Sequence, residues 1–197
     1  MLKHFKHLFT LQIDFKPPSL LVLLGWGKKL SSSFFEVKIK QVCSPNVENV
    51  LQRNFRINIS NKINKVLTLK SRIEWVSIKP ESRGKEKGLL ITQDIAYKPK
   101  SFPLSFNLRY ALFDTDNYDT RIYSYENNAL YVFSVPAYYF QGSRCYLLAR
   151  YSIGRSTDLW VKYGFFLYNN RDEIGSGAEQ IQGDRKSDLT IQLRISL

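Results

Sequence analysis

The sequence lacks any apolar run of the length that a membrane-spanning helix requires. The longest run extends from Leu20 to Leu24, with Trp26 close by. A helix needs roughly 20 predominantly apolar residues to cross a bilayer, and the mean hydropathy of this chain is slightly negative. These absences argue against a helical membrane protein.

Histidine and cysteine are also scarce, with two of each. Cys43 and Cys145 are isolated and show none of the CxxC spacing of zinc sites. His4 and His7 would face opposite sides of a strand, so they do not suggest a shared metal ion. No histidine accompanies a serine, cysteine or aspartate in a catalytic arrangement. We therefore expect no enzymatic activity, no catalytic residue, no cofactor and no metal site.

Two loop motifs deserve a structural interpretation before a chemical one. Asp114, Asp116 and Asp119 faintly resemble a calcium loop, but Tyr125 stands where an EF-hand has its bidentate glutamate. An improvised calcium site is the alternative to a solvated loop, which we favour. The glycines of 175–177 lack the preceding strand and following helix of a phosphate-binding motif, so they indicate turns.

The charge is strongly unbalanced, with 29 Lys and Arg against 17 Asp and Glu and a net charge of +12. This leaves open a soluble basic β-protein that binds nucleic acid or another anionic partner. The basic residues are spread along the chain rather than gathered into a stripe. We therefore regard nucleic acid as the less favoured partner.

What the sequence does contain is aromatic residues, 14 % of the chain, in a period-two pattern typical of strands. The pattern is clearest at the C-terminus, where Leu189, Ile191, Leu193, Ile195 and Leu197 alternate with polar residues. An apolar face of this kind meets a second sheet in a soluble sandwich and lipid in a barrel. Further strands are predicted near 9–15, 55–60, 67–75, 89–97, 104–112, 144–153 and 159–167.

The connections between these strands fall into two classes that alternate along the chain. Short polar turns are predicted at 16–19, 61–66, 98–103 and 154–158. Long polar stretches are predicted at about 28–50, 79–88, 114–143 and 169–187. Outer-membrane barrels have short periplasmic turns and long external loops. The sequence therefore predicts an all-β fold, an antiparallel transmembrane β-barrel of the outer-membrane type, as a single domain over residues 1–197.

If Leu197 ends in the periplasm, every long connection lies outside and every short turn inside. The connection 114–143 includes the apolar stretch 129–139, which Pro136 interrupts. We expect that stretch to form a hairpin that extends beyond the membrane or folds over the mouth of the barrel.

The strand count is about nine, whereas single-chain bacterial barrels normally have an even number. Residues 1–15 are predicted to be strand, because Gln12, Asp14 and the Pro17-Pro18 pair interrupt what a signal peptide would keep apolar. We therefore expect the chain to be the C-terminal fragment of a longer, N-terminally truncated barrel.

The polar face of the predicted strands supplies the candidate site. Its basic excess suits passage of anions, but in a barrel this small we favour internal ion pairs that fill the lumen. Candidate aromatics of the membrane interface are Trp75, Tyr97, Tyr110 and Tyr163. The lumen-facing candidates are Arg56, Lys70, Arg72, Glu74, Arg109, Arg150, Lys162 and Arg194, with Asp14 and Asp94 as further acidic members.

Four stretches of the sequence carry a family resemblance: 109–116, 122–127, 133–139 and 170–177. Together they resemble the C-terminal outer-membrane barrel region of bacterial helix-hairpin-helix domain-containing proteins. The helix-hairpin-helix part has no counterpart here, so its DNA binding is not carried over. The family usually ends in an aromatic residue, whereas this chain ends in Ser196-Leu197.

The resemblance implies a place in the Gram-negative outer membrane, whereas the expectation of a non-enzymatic protein rests on the absence of a catalytic arrangement. Its barrel would serve as a membrane anchor, or as a porin-like passage for a small solute or an anion. Implied partners are outer-membrane lipid, a missing N-terminal module, and the barrel-insertion machinery, which would recognise the C-terminal strand from Leu189 to Leu197.

Overall fold

The computed structural model describes residues 8–13, 34–40, 50–80, 83–154, 156–169, 171–175, 177 and 180–196. The first two ranges and residues 50–51 are described by their backbone alone. Several sequence-based predictions lie outside the described residues. These are the turn at 16–19, the pair His4 and His7, Asp14, Cys43 and the terminal Leu197.

Apart from one residue in a helical turn, all regular secondary structure of the described residues is β-strand. No described helix is long and apolar enough to cross a membrane. The strands are β1 (Leu8–Ile13), β2 (Phe34–Lys40), β3 (Val50–Lys62), β4 (Leu67–Pro80), β5 (Glu86–Tyr97), β6 (Leu104–Thr115), β7 (Ile122–Tyr123), β8 (Ala137–Tyr138), β9 (Gln141–Ile153), β10 (Thr157–Tyr168), β11 (Glu173–Ile174), β12 (Ile181–Gln182) and β13 (Arg185–Ile195).

Nine of these strands form one antiparallel sheet in the order β1-β2-β3-β4-β5-β6-β9-β10-β13. The prediction of an all-β, antiparallel fold is confirmed. Among the described residues the sheet is open, with β1 and β13 at its edges and no pairing between them. Two two-stranded sheets, β7 with β8 and β11 with β12, lie in the connections.

Several predicted connections differ in extent from the structure, and two of the differences lie in the N-terminal half of the sheet. The stretch 28–50 was predicted to be a long polar connection, and this is wrong for 34–40, which forms β2 and pairs with β1 and β3. The connection predicted at 79–88 shrinks to 81–85, because β4 continues to Pro80 and β5 begins at Glu86. Beyond Trp75 the alternation inverts, so that Val76 and Ile78 are the buried apolar residues of β4.

The residues between β6 and β9, 116–140, fold back as a hairpin across one face of the sheet. We call them the covering segment, and the sheet face beneath them the covered face. In the segment, β7 pairs with β8 and Glu126 bridges to Ser134. The hairpin predicted within 129–139 therefore lies against the sheet, with Ala129 and Tyr138 buried.

Apolar contacts hold the segment at two levels. At the long-connection end, Ile122 and Tyr138 join a buried cluster with residues of β4, β5, β6 and β10, including Leu90 and Phe113. Toward the short-turn end, Ala129 packs in a second cluster with Tyr146, Leu148 and Trp160.

The covered face is concave. Strands β4 and β10 are four positions apart in the sheet, or roughly 19 Å at about 4.8 Å per strand. Arg72 on β4 reaches Ser124, while Lys162 on β10 reaches Glu126, only two residues further along the segment. Their side chains therefore converge, as those on the inside of a curved sheet must.

Candidate functional site: a polar layer beneath the covering segment

A single buried carboxylate, that of Glu126, organises the centre of the covered face. Arg144 on β9 donates through Nε and Nη2 to its two oxygens, both at 2.9 Å. Lys162 Nζ on β10 donates to Oε2 at 2.9 Å, and the Tyr138 hydroxyl donates to Oε1 at 2.9 Å. Glu126 and Tyr138 are fully buried, and Arg144 and Lys162 almost fully. The segment is therefore fastened to two adjacent strands through one side chain.

The electrostatics of this cluster keep Glu126 charged. Burial alone would raise the pKa of Glu126, but hydrogen bonds and charge attraction from Arg144 and Lys162 hold it below its ordinary value of 4.5. Burial and the Glu126 carboxylate raise the pKa of Tyr138 well above its ordinary value. Its hydroxyl thus remains protonated and donates. A buried ion pair broken on one side costs about 3–5 kcal/mol, because the remaining charge has no compensation.

A second set of contacts joins the polar layer to the backbone of the segment. Arg109 on β6 forms a bidentate ion pair with Asp94 on β5, Nε to Oδ1 at 2.5 Å and Nη2 to Oδ2 at 2.7 Å. Its Nη1 donates to the Tyr125 carbonyl at 2.6 Å and to Ser124 Oγ at 3.3 Å. One guanidinium group therefore serves both a carboxylate of the sheet and a backbone carbonyl of the segment.

Glu74 on β4 is the third anchoring carboxylate. Arg56 Nη2 donates to Glu74 Oε1 at 2.7 Å, and Arg72 hydrogen-bonds to its other oxygen. Arg72 Nη1 also donates to Ser124 Oγ at 3.1 Å. Ser124 therefore accepts from both Arg72 and Arg109, which lie two strands apart.

The strand register places all eight lumen-facing candidates on one face, the covered face. It brings three groups of them against the segment: Arg56, Arg72 and Glu74; Arg109; and Lys162. Arg150 lies apart, in an ion pair with Asp158 at 3.1 Å near the β9–β10 turn. Lys70 and Arg194 lie on this face by register but are exposed.

Three important members of the layer were absent from the sequence-based set: Glu126, Arg144 and Tyr138. Arg144 carried a usable signal, because it shares its parity on β9 with Arg150. Glu126 and Tyr138 carried none, since they lie in a connection without periodicity. Asp188 on β13 was absent from the set as well. Its Oδ1 accepts a hydrogen bond from Arg144 Nη1 at 2.5 Å.

The opposite face, which we call the uncovered face, carries the four predicted interface aromatics. Tyr97, Tyr110 and Tyr163 are 40–50 % exposed there, and Trp75 is half-buried. Large exposed apolar side chains accompany them on β3, β4, β5, β6, β9 and β13, whereas the other apolar residues of β10 on this face are partly buried. Those exposed by more than a third are Phe55, Ile59, Ile73, Leu89, Ile91, Ile95, Leu108, Leu112, Leu147, Tyr151, Ile153, Leu189, Ile191, Leu193 and Ile195.

Two polar side chains inside this apolar band satisfy each other. Ser71 Oγ on β4 donates to Gln93 Oε1 on β5 at 2.6 Å, and Gln93 Nε2 donates to the Asp94 carbonyl at 3.2 Å. Such internal pairing is what an apolar solvent requires of polar groups.

The three aspartates of the calcium-like motif are occupied in separate contacts. Asp116 Oδ2 accepts from the Lys87 backbone N–H, Asp119 pairs with Arg83, and Asp114 accepts from Gln141. Within the described ranges, no three His, Cys, Asp or Glu residues are grouped closely enough to hold a metal ion.

Space remains on the covered face beside the segment, over β3 and β4. It has a volume of about 320 Å³. Its polar lining includes Gln52, Asn54, Arg56, Glu74, Asp119 and Arg121. The segment fills the concave face from β4 to β10, whereas this side of it is less completely filled.

Comparisons with known proteins do not assign this chain to a family. The resemblance to the barrel region of helix-hairpin-helix domain-containing proteins stays a prediction. No protein-family model, no curated protein and no solved structure matches this chain.

Proposed function

We propose that the sheet is the wall of an outer-membrane-type β-barrel, and that the protein is a non-enzymatic membrane anchor whose lumen the covering segment fills. The observation that carries the proposal is the contrast between the two faces. One face exposes a predominantly apolar band, and the other buries charged side chains against a folded-in segment.

The dimensions of the band agree with a bilayer. On β5 it extends from Leu89 to Tyr97, eight residue steps or roughly 27 Å along the strand. At a tilt of about 40° this covers roughly 20 Å, close to the roughly 25 Å apolar band of such barrels. A soluble monomer rarely exposes an apolar patch of this size.

The same geometry favours an anchor over an open passage. Arg72, Arg109, Arg144 and Lys162, which would give an open lumen its anion preference, are engaged with carboxylates and with the segment. The same engagement also disfavours the soluble nucleic-acid-binding alternative, because these cations are not displayed to a partner.

Cell fractionation and gel mobility test the membrane assignment. We expect the protein in the outer-membrane fraction, with an apparent size in SDS that changes between unheated and boiled samples. A protein recovered in the soluble fraction, with one mobility under both conditions, would contradict the barrel and favour the soluble alternative.

Planar-bilayer conductance tests the filled lumen. Asp114 and Gln141 are paired neighbours on β6 and β9, so a short Gly-Ser turn can replace residues 116–140 without moving either strand. We expect low conductance from the whole chain and an anion-preferring conductance from the shortened one. Equal conductance of the two would show that the segment does not close the lumen.

A further inference from the structure

Four basic side chains lie together on the uncovered face where β3, β4 and β5 approach the long-connection end. Arg53, Ser77 and Lys87 form one row across the three strands, with Ser77 buried between the two cations. Lys79 lies two residues further along β4, and Lys85 just precedes β5. All four cations are exposed. We call them the basic rim.

The basic rim differs from the other cations of the molecule in its partners. On the covered face, arginines and lysines pair with Glu74, Asp94, Asp158 and Glu126. Arg83, beside the rim, pairs with Glu86 and Asp119. The four rim cations make no ion pair with any described carboxylate. Their charge is therefore available to an external anion.

The rim adjoins the apolar band directly. The next row toward the short turns is Phe55, Trp75 and Leu89, two residues or roughly 7 Å along the strands. Lys85 Nζ lies 5.6 Å from the centre of the Trp75 ring, a cation–π geometry. The change from apolar to basic occurs on the same face and within one row.

This change coincides with the inversion of the alternation in β4. Up to Trp75 the apolar residues of β4 point to the uncovered face, and from Val76 they point to the covered face, while Lys79 points outward. An apolar band bordered by tryptophan and lysine side chains matches the boundary between lipid tails and headgroups. There, long basic side chains keep their stems in the apolar layer and extend their charges to the headgroups.

We propose that the basic rim binds the phosphate groups of lipid headgroups in the leaflet at the long-connection end. The inference rests on the proposed barrel and specifies the lipid that borders it. Clustered unpaired cations at one height of the band fit a headgroup with an uncompensated phosphate. A zwitterionic headgroup would bring its own cation to the same place.

Titration of the full chain in zwitterionic detergent micelles tests the proposal. The probe is dihexanoyl phosphatidic acid, whose phosphate is unmasked, and Trp fluorescence reports binding near Trp75. Dihexanoyl phosphatidylcholine, with the same tails and a neutralised phosphate, is the matched lipid, and inorganic phosphate tests whether the lipid tail is needed. We expect binding of phosphatidic acid, much weaker binding of the other two, and a decline in affinity with salt.

The variant is Lys79→Gln with Lys87→Gln, and its matched control is Lys98→Gln with Lys100→Gln in the β5–β6 turn at the opposite end. At roughly fivefold per basic side chain near a charged surface, the rim variant should bind phosphatidic acid about 20- to 30-fold more weakly. The control should remain within about twofold. Equal losses in both variants, or equal binding of the choline lipid by the unmodified protein, would overturn the proposal.

The failure of this inference is separable from the failure of the barrel. Heat-modifiable mobility of both variants shows whether each is folded in the micelle. If both keep that mobility and the rim variant binds normally, the barrel stands and the rim has no lipid role. If the unmodified protein shows neither that mobility nor outer-membrane location, the proposed function itself fails.

Discussion

The two faces of the sheet reverse the usual distribution of side chains. On the covered face Lys162 is 1 % exposed and its partner Glu126, from the covering segment, 0 %, whereas on the uncovered face Leu189 and Ile191 are 63 % and 64 % exposed. In water the first arrangement needs compensating charges and the second leaves apolar surface unburied. The difference teaches that one sheet buries charged side chains where a polar segment covers it and presents apolar side chains on the face that no described residue covers.

The largest expected effect comes from removing the charge at the centre of the covered face. Glu126→Gln leaves Lys162 buried without its counter-charge and Arg144 with Asp188 alone, and it should destabilise the protein by about 3–5 kcal/mol. Urea unfolding of both variants and the unmodified protein, in the same detergent, measures the free energy of unfolding. Glu173→Gln, at an exposed position in β11, is the control and should stay within about 0.5 kcal/mol. Equal effects would mean that the segment is not fastened through Glu126.

A charge placed on the uncovered face distinguishes lipid from water directly. Leu112 lies in the band beside Ile91, and Leu112→Arg should cost about 2–4 kcal/mol in a lipid bilayer. Folding titrations into lipid vesicles supply the measurement. Asp114→Arg puts the same side chain at the edge of the apolar band, where we expect a cost in folding free energy of about 0–1 kcal/mol. A cost below about 0.5 kcal/mol for Leu112→Arg would indicate that this face meets water.

A single methyl group tests how closely the segment packs on the sheet. A Cβ at Gly88 on β5 would lie 2.5 Å from the backbone oxygen of Thr120 in the covering segment, so the segment must shift. Gly88→Ala should therefore destabilise by about 1–3 kcal/mol. Gly84→Ala meets no atom within 4 Å and serves as the control in the same unfolding experiment. Equal stability of the two variants would contradict the close approach of Thr120.

The smallest expected effect is a dependence of stability on acid pH. Because the folded-state pKa of Glu126 lies below its ordinary value of 4.5, its stabilising contribution is complete above that pH. The contribution is lost as the pH falls through the folded-state pKa. Lowering the pH below 4.5 should therefore lower the thermal unfolding temperature of the unmodified protein more than that of Glu126→Gln. Parallel pH profiles of the two would show that Glu126 does not titrate in this way.

Much of the sheet could be predicted because one local rule, period two, governs it. Arg109, Lys162 and Arg194 were assigned to one face from alternation alone, and the register places them there. The prediction fails where the phase of the alternation between apolar and polar residues changes. The alternation of β4 was followed only to Trp75, beyond which Val76 and Ile78 take over the buried positions. A phase inversion within one strand is invisible to a pattern that assumes a single apolar face.

The anchoring cluster could not be predicted, for a different physical reason. Glu126 meets Arg144 and Lys162 at separations of 18 and 36 residues. Its own connection has no period that would indicate where its carboxylate points. Contacts of this kind depend on the path of a connection rather than on the sequence beside the residue.

The sequence by itself determined that the chain forms antiparallel strands and which residues of most strands share a face, because alternation is a local consequence of strand geometry. Tertiary structure alone decided that residues 116–140 turn back onto the polar face and that Glu126 joins two strands there. That choice depends on whether buried charges find partners, and those partners lie on strands that only the folded sheet brings together.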